Sequence, residues 1–412
     1  MKTSSRLAAG ATLGTAVPLS AASRRRVIGA NDRLRLAIIG CGDRGVNVHM
    51  DRVYKHVQVA NLEIVALSDP WKRARARANE QVKAWFGRPA REFVSHNEIM
   101  ALDDVDAVMI ASPDHHHASQ LEAAARAGKH AYVEKPLGME LDAVLRTVDA
   151  VKQAGIVVQV GTQLRSLPGI AGARALVETG VFGKWSRLEE CRNSERPYWY
   201  RYLKDVNEAD VSWSEFLGSA KGKRFRADYY SGWYGYRDFS AGPIANLGCH
   251  FIDLLHYITG AKFPSSCVCS GGIFTWKDEH EFTATDCVQA TWIYPEGFLV
   301  SSANNLGNGF GNTRKFYGEK GVLKLDNWSS PTYSAEGAPR RDGSIRGSQN
   351  VTPVERPDHF LDWLRCLRDG GTPHASIDAG YQHAVAVIMA SMALQSGRKT
   401  TYDPIQRRIQ TV

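Results

Sequence analysis

The sequence predicts an α/β chain. Its N-terminal part reads as a Rossmann-type, doubly wound parallel sheet, and its C-terminal part as an α/β domain on a mostly antiparallel open sheet. Three observations carry this. An apolar run at 36–39 feeds the glycine-rich turn 40–45. Apolar runs and helical stretches then alternate for about 130 residues. Beyond residue 185, short alternating segments follow one another without regular helices between them.

The elements come in order. Strands are expected at 36–39, 64–67, 105–111, 130–133 and 156–160, with helices at 72–86, 118–127 and 141–154. Gly87-Arg88-Pro89, Gly128 and Gly155 end those helices. A helix at 169–179 follows. Alternating strands are expected at 186–192, 267–275, 286–294, 298–304, 313–317 and 321–326. A helix at 244–258 carries Asn246 and His250 on one face. Residues 328–356 read as a surface loop, and 358–368 and 379–396 as closing helices that pack back on the first domain. The domains are thus a leader at 1–32, a nucleotide-binding domain at 33–162, and a substrate and oligomerisation domain at 163–412.

Bulk composition agrees. The 412 residues are 43% hydrophobic and 23% charged, as in a soluble globular protein of two domains. The net charge of +8 is scattered along the chain, which argues against a nucleic-acid partner. Seven cysteines at irregular spacing do not form a disulfide framework, and Cys267-x-Cys269 lacks the second pair of a zinc site. In the leader, Lys2 and Arg6 precede a weakly apolar run at 7–16 and then small residues. That is the layout of an export signal, and it resembles a twin-arginine signal lacking its first residues. A periplasmic or exported location is expected on that reading, a cytoplasmic one otherwise. The run is too short to remain as a membrane span.

The chemistry gathers at strand ends. Gly40-x-Gly42-x-x-Gly45 follows a strand and opens a helix, which is the dinucleotide fingerprint. Gly40 makes the turn, Gly42 admits the pyrophosphate and Gly45 lets helix and strand approach. Cys41, Asp43 and Arg44 complete this cofactor loop. Asp69 ends the next strand, where an acid binds a ribose 2′-hydroxyl and favours NAD over NADP. Lys72 and Arg73 nearby blur that preference. Glu134-Lys135-Pro136 holds a lysine at a strand end, placed to donate to a substrate oxygen. His250 is a candidate proton acceptor for alcohol oxidation. Arg165 and Arg237 bind hydroxyls or a carboxylate, or are structural. The rings of Tyr198–Tyr200, Trp233, Tyr234 and Tyr236 form a sugar platform or pack between domains. His115 and His116 read as polar surface rather than as part of a metal site with His117.

Gly40-x-Gly42-x-x-Gly45, Ser112-Pro113-x-x-x-His117, Glu134-Lys135-Pro136 and Gly248-x-His250-x-x-Asp253 occur here in that order. Together they resemble the Gfo/Idh/MocA family of NAD(P)-dependent sugar and cyclitol oxidoreductases. The resemblance implies that Lys135 and His250 flank the substrate carbon, with His250 as base. It implies that Ser112, Pro113, Asp114, His117, Glu134 and Pro136 line the cofactor cleft, and that the open sheet makes a dimer or tetramer. Many family dehydrogenases carry Asp where this chain has Asn246, and Asn cannot act as an anionic acceptor. The expected function is NAD-dependent hydride transfer to or from a sugar, glycoside or cyclitol hydroxyl carbon. The alternative is a glycoside hydrolase or lyase that retains NAD and works by transient oxidation and elimination.

Overall fold

A computed structural model describes residues 33–220 and 222–412. The export-type leader lies outside the described residues. The first sheet is all parallel, in the order β3-β2-β1-β4-β5-β6. Its strands are β1 (Leu34–Ile39), β2 (Leu62–Ser68), β3 (Arg91–Phe93), β4 (Ala107–Ile110), β5 (His130–Val133) and β6 (Val158–Val160). Strand order reverses between β1 and β4, and in such sheets ligands bind outside the carboxyl ends at that switch point. β1, β4 and β5 read as apolar runs because helices cover both faces.

The helices Lys72–Phe86 and Leu141–Ala154 match the sequence reading, each closed by a left-handed glycine, Gly87 and Gly155. Two differ. The helix after β4 begins at Asp114, so His115, His116 and His117 lie in its first turn. The helix expected over 244–258 is broken: Gly242–Asn246 and Gly248–Thr259 meet at Leu247. Asn246 and His250 therefore flank a kink rather than share one regular face.

The second sheet has ten strands, in the order β14-β13-β12-β11-β7-β10-β9-β8-β15-β16. They are β7 (Trp185–Asn193), β8 (Ser266–Gly272), β9 (Cys287–Tyr294), β10 (Phe298–Asn305), β11 (Thr313–Gly318), β12 (Val322–Lys324), β13 (Thr332–Ser334), β14 (Ser348–Asn350), β15 (Thr400–Asp403) and β16 (Arg408–Thr411). Only the β7–β10 pair is parallel. One face packs on helices Pro168–Glu178, Gly248–Thr259 and Ile377–Ser396 in a core containing Trp292, Phe316 and Phe251. The other face leaves Val268, Ile293 and Leu299 exposed. The stretch 328–356 contributes β13 and β14 to this sheet instead of being loop throughout. Helix His359–Asp369 returns to the first domain, where Phe360, Trp363 and Leu364 join the core behind β1 and β2. Among the described residues, no helix is long and apolar enough to cross a membrane.

Candidate functional site: a cleft between the two domains

A cleft of about 910 Å³ runs over the carboxyl ends of the first sheet and under β7 and β11 of the second. Its floor at one end is the glycine loop. Gly40 has φ +91°, and a Cβ there would lie 2.7 Å from the Ala111 carbonyl carbon, so only glycine fits. A Cβ on Gly45 would sit 1.9 Å from the Gly40 oxygen, which is the close helix–strand approach expected of the third glycine. Gly42 has nothing within 4 Å of that position and opens directly on the cleft, leaving room for a pyrophosphate. Cys41 turns inward and is fully buried; its backbone N–H donates to Asp69 Oδ2 at 2.8 Å. Gly45 and Cys41 thus shape the loop without lining the cleft.

The middle of the cleft is built on Glu134. This buried carboxylate accepts from Arg44 Nε at 2.7 Å, from His49 Nε2 at 2.9 Å and from Gln163 Nε2 at 3.2 Å. Burial raises its pKa, but Arg44 and then His49 outweigh burial and hold it well below the ordinary carboxylate range. Glu134 is therefore a fixed anion that aims Arg44 into the cleft. Sequence reasoning missed His49 and Gln163, which lie 85 and 29 residues from Glu134 in the chain. His117 is buried between two carbonyls, with Nδ1 2.7 Å from Pro136 O and Nε2 2.8 Å from Ser112 O. It fixes the 112 and 136 turns to each other. Ser112 and Pro113 line the cleft, whereas Pro136 lies behind it.

Lys135 and His250 both face the cleft. Lys135 Nζ donates to the Asn246 backbone oxygen at 2.9 Å, which leaves two ammonium protons for a ligand. Burial, then Lys135 and Arg192, depress the His250 pKa well below the ordinary histidine value. The imidazole is neutral and able to accept a proton. The Asn246 side chain is anchored from below: its Nδ2 donates to Asp114 Oδ2 at 2.8 Å and to Ser240 Oγ at 2.9 Å. Asp114 also accepts from Ser240 Oγ and the Ala241 N–H. Asp114 therefore ties the domains together at the rear of the site, and burial raises its pKa.

Five buried polar atoms in cleft residues have no protein partner: Asn246 Oδ1, His250 Nδ1, Tyr198 Oη, Arg192 Nε and Trp71 Nε1. Unpartnered buried groups are costly and normally paired. All but Trp71 belong to residues at the Lys135 end of the cleft. The residues at the glycine loop fit a dinucleotide at the other end.

The adenosine end is strapped. Tyr230 Oη donates to Asp69 Oδ1 at 3.0 Å, and the Ser212 N–H donates to the Pro70 oxygen at 3.0 Å. Val211 bridges Trp71, Arg73 pairs with Asp210 at 3.0 Å, and Lys204 reaches Asp43 at 3.3 Å. His115 and His116 are not polar surface. Both Nε2 atoms hydrogen-bond to the Phe216 oxygen, at 2.9 and 2.8 Å, and hold the strap over the cleft. Burial lowers the His115 pKa to about 4 and that of His116 well below normal, so both are neutral posts.

Three expected substrate contacts lie elsewhere. Arg165 is buried, and its Nε donates to Asp253 Oδ2 at 2.7 Å. Tyr236 is buried in an aromatic cluster with Phe239 and Phe282, and its hydroxyl donates to the His280 oxygen. Arg237 opens on a small separate pocket beside Met139 and Glu140. Chain length and ring packing decide this: Arg165 neutralises a helix carboxylate, and Tyr236 fills the core beneath the strap. The side chains that line the Lys135 end of the cleft are instead Arg192, Tyr198, Tyr202, Arg314 and Trp328. Among the described residues, no group of three or more His, Cys, Asp or Glu side chains could hold a metal ion, and all seven cysteines are free.

Comparisons with known proteins agree with this architecture. Residues 34–162 match the oxidoreductase family with an NAD-binding Rossmann fold, and residues 202–402 match its C-terminal alpha/beta domain. Levoglucosan dehydrogenase of Pseudarthrobacter phenanthrenivorans is 29% identical over 263 residues, 62% of this chain and 54% of that one. The chain thus spans about half the length of that relative. scyllo-Inositol 2-dehydrogenase (NAD(+)) of Bacillus subtilis is 32% identical over 154 residues, 37% of this chain and 42% of that one. The solved structure of levoglucosan dehydrogenase in complex with NADH and levoglucosan superposes with a TM-score of 0.68 at 17% identity, covering 89% of this chain and 98% of that one. With both halves matched in order, the chain belongs to the Gfo/Idh/MocA oxidoreductase family.

Proposed function

We propose that this protein is an NAD-dependent oxidoreductase acting on a hydroxyl carbon of a sugar, glycoside or cyclitol. The observation that supports this most is the pairing, at one end of an NAD-type cleft, of an ammonium with free protons and a neutral histidine. When bound, NAD supplies the hydride acceptor at its nicotinamide ring. The chain's own residues do the rest. Lys135 donates to the substrate oxygen and stabilises the charge that grows there as the O–H bond weakens. His250 takes the hydroxyl proton. Asn246, its side chain fixed by Asp114 and Ser240, holds Lys135 in place through its backbone oxygen. The strap of residues 202–232 and the aromatic cluster beneath it keep water from the site. Sugar and cyclitol dehydrogenases among the relatives support the substrate class.

The strap favours a second reading of the cofactor's behaviour. Five contacts close the adenosine end, so NAD leaves only when they open. That favours retention through turnover, as a transient oxidation, elimination and return of hydride on a glycoside requires. One experiment separates the readings. The purified protein is denatured without added cofactor and released nucleotide is quantified by mass spectrometry, then sugars, inositols and aryl glycosides are screened. NADH accumulation that is lost in K135M and H250A supports the dehydrogenase. Aglycone release without net NADH supports the second reading. Absence of both, with either nucleotide supplied, refutes enzymatic action on these classes.

A further inference from the structure

Beyond Lys135 and His250, the cleft wall is formed by the inner face of β7 and β11. Side chains two apart on a strand share a face, so Glu190 and Arg192 both point inward from β7. Arg314 on β11 stands directly opposite Glu190 in the antiparallel register. The Glu190 carboxylate is fully buried, and its Oε1 serves both cations, accepting from Arg314 Nε at 2.9 Å and from Arg192 Nη2 at 3.0 Å. Trp328 covers the Arg314 guanidinium, 4.0 Å from it to the ring centroid.

The charges do not balance. Two guanidiniums share one carboxylate, and Lys135 adds a third cation to the same end of the cleft. Asp326 also acts on Arg314 and accepts its backbone N–H, so three cations still face two carboxylates. The other nearby acids are occupied, Glu134 by Arg44 and His49, Asp114 by Asn246 and Ser240. Arg192 Nε is buried without an acceptor. A guanidinium offers five donors in a fixed plane, matched to a two-oxygen anion. A neutral sugar hydroxyl satisfies one such donor but leaves the positive excess uncompensated. The network also explains why Arg192 is not swung into solvent: Glu190 holds Nη2 and fixes the guanidinium at the cleft wall.

We propose that the substrate carries an oxyanion, a sugar carboxylate or phosphate, recognised by Arg192 within the Glu190–Arg314 frame. This rests on the reading of the cleft as a sugar oxidoreductase site. Arg192 is the specificity-determining residue, and Arg314 and Glu190 position it. Of the two sources of charge, a hexuronate carries its carboxylate carbon directly on a ring carbon, and glucose 6-phosphate carries its phosphorus two bonds further out.

The test uses the full chain loaded with NAD. Rates of NADH formation are compared for D-glucuronate, D-galacturonate, glucose 6-phosphate, D-glucose and D-galactose, and binding of glucuronate and glucose is measured by calorimetry. At least a tenfold higher kcat/KM for an acidic sugar over its neutral counterpart is expected, with the preference collapsing in R192Q and partly retained in R192K. Preference for the phosphate over both uronates assigns the phosphate as the source. Equal or better use of the neutral sugars overturns the inference and leaves the proposed function standing. If no sugar is oxidised, the proposed function fails; the calorimetry then decides this inference alone, and equal affinity of glucuronate and glucose overturns it. Retained nucleotide and an unchanged circular dichroism spectrum in R192Q and R192K exclude misfolding as the cause.

Discussion

The Tyr230 hydroxyl, from the second domain, donates to Asp69 Oδ1 of the first domain at 3.0 Å. Asp69 is the acid expected to receive a ribose hydroxyl, so one residue serves both cofactor and closure. Its Oδ1 also takes the Trp71 N–H and its Oδ2 the Cys41 N–H. The Y230F substitution removes one donor to a buried carboxylate, at a cost of about 1–3 kcal/mol to the closed strap. Dissociation of NADH, followed by loss of its fluorescence on dilution, is expected to quicken about tenfold. An unchanged rate means that the strap does not gate the nucleotide.

Cofactor choice follows from the same carboxylate. Arg73 is paired with Asp210, Arg77 with Asp43, and Arg75 with Glu92 and the Asp69 backbone oxygen. These three arginines are thus engaged, leaving the exposed Lys72 as the nearby cation for a 2′-phosphate, while Asp69 repels it. NAD is expected to bind more tightly than NADP, and D69S to narrow the gap by about tenfold. Titration of both nucleotides into the stripped protein checks this. Tighter NADP binding by the unaltered chain is the contrary result.

The pH dependence of oxidation depends on His250. Its basic form is the neutral one, so kcat/KM falls as pH drops through the pKa of the free enzyme. Burial, Lys135 and Arg192 place that pKa well below the ordinary histidine value of 6.5. The profile is therefore expected to stay flat from pH 8 to below pH 6.5. Removing a neighbouring cation raises the histidine pKa, so R192Q should move the acid limb to higher pH. An acid limb near 6.5 in the unaltered protein contradicts the assignment.

Asn246 stands against a buried carboxylate, and its surroundings suit an amide better than a second acid. Its Nδ2 donates to buried Asp114 at 2.8 Å. N246D replaces that donor with a second carboxylate, and two buried carboxylates this close share a proton. The folded-state pKa of the pair rises above its unfolded value. The variant's deficit is then smallest at low pH and grows as pH rises through the raised pKa. A loss of about 1–3 kcal/mol in urea unfolding at pH 8, shrinking towards pH 5, is expected. A deficit independent of pH argues against direct carboxylate opposition.

Much of this was readable from local pattern. The glycine turn at 40–45, the helices Lys72–Phe86 and Leu141–Ala154, and the placing of Lys135 at a strand end all follow from short-range chemistry. What escaped was long-range. Trp71 meets Val211, and His116 meets Phe216, across separations that leave no periodic trace. His115 and His116 looked like surface because their carbonyl partner lies about 100 residues away. The break at Leu247 had a local signal that the apolar run around it masked: Asn246 and Gly248 on either side are weak helix formers.

Arg165 illustrates how a strand-end arginine becomes structural. Its guanidinium sits against Asp253, with His383 Nδ1 3.6 Å from the same carboxyl group. Burial raises the Asp253 pKa, but Arg165 and then His383 outweigh it and bring it down to about 2. A depressed folded pKa contributes stability that is present above the ordinary aspartate range and lost as pH falls towards 2. R165M strands the buried carboxylate, at a cost of about 3–5 kcal/mol at neutral pH. Because Asp253 then takes up a proton readily, the deficit should shrink as pH falls from 7 towards 4. Denaturant unfolding across that range, alongside KM for the best sugar, checks the assignment. A weakened KM with unchanged unfolding returns Arg165 to the substrate; a large, pH-dependent stability loss keeps it as the residue that holds the His250 helix in place.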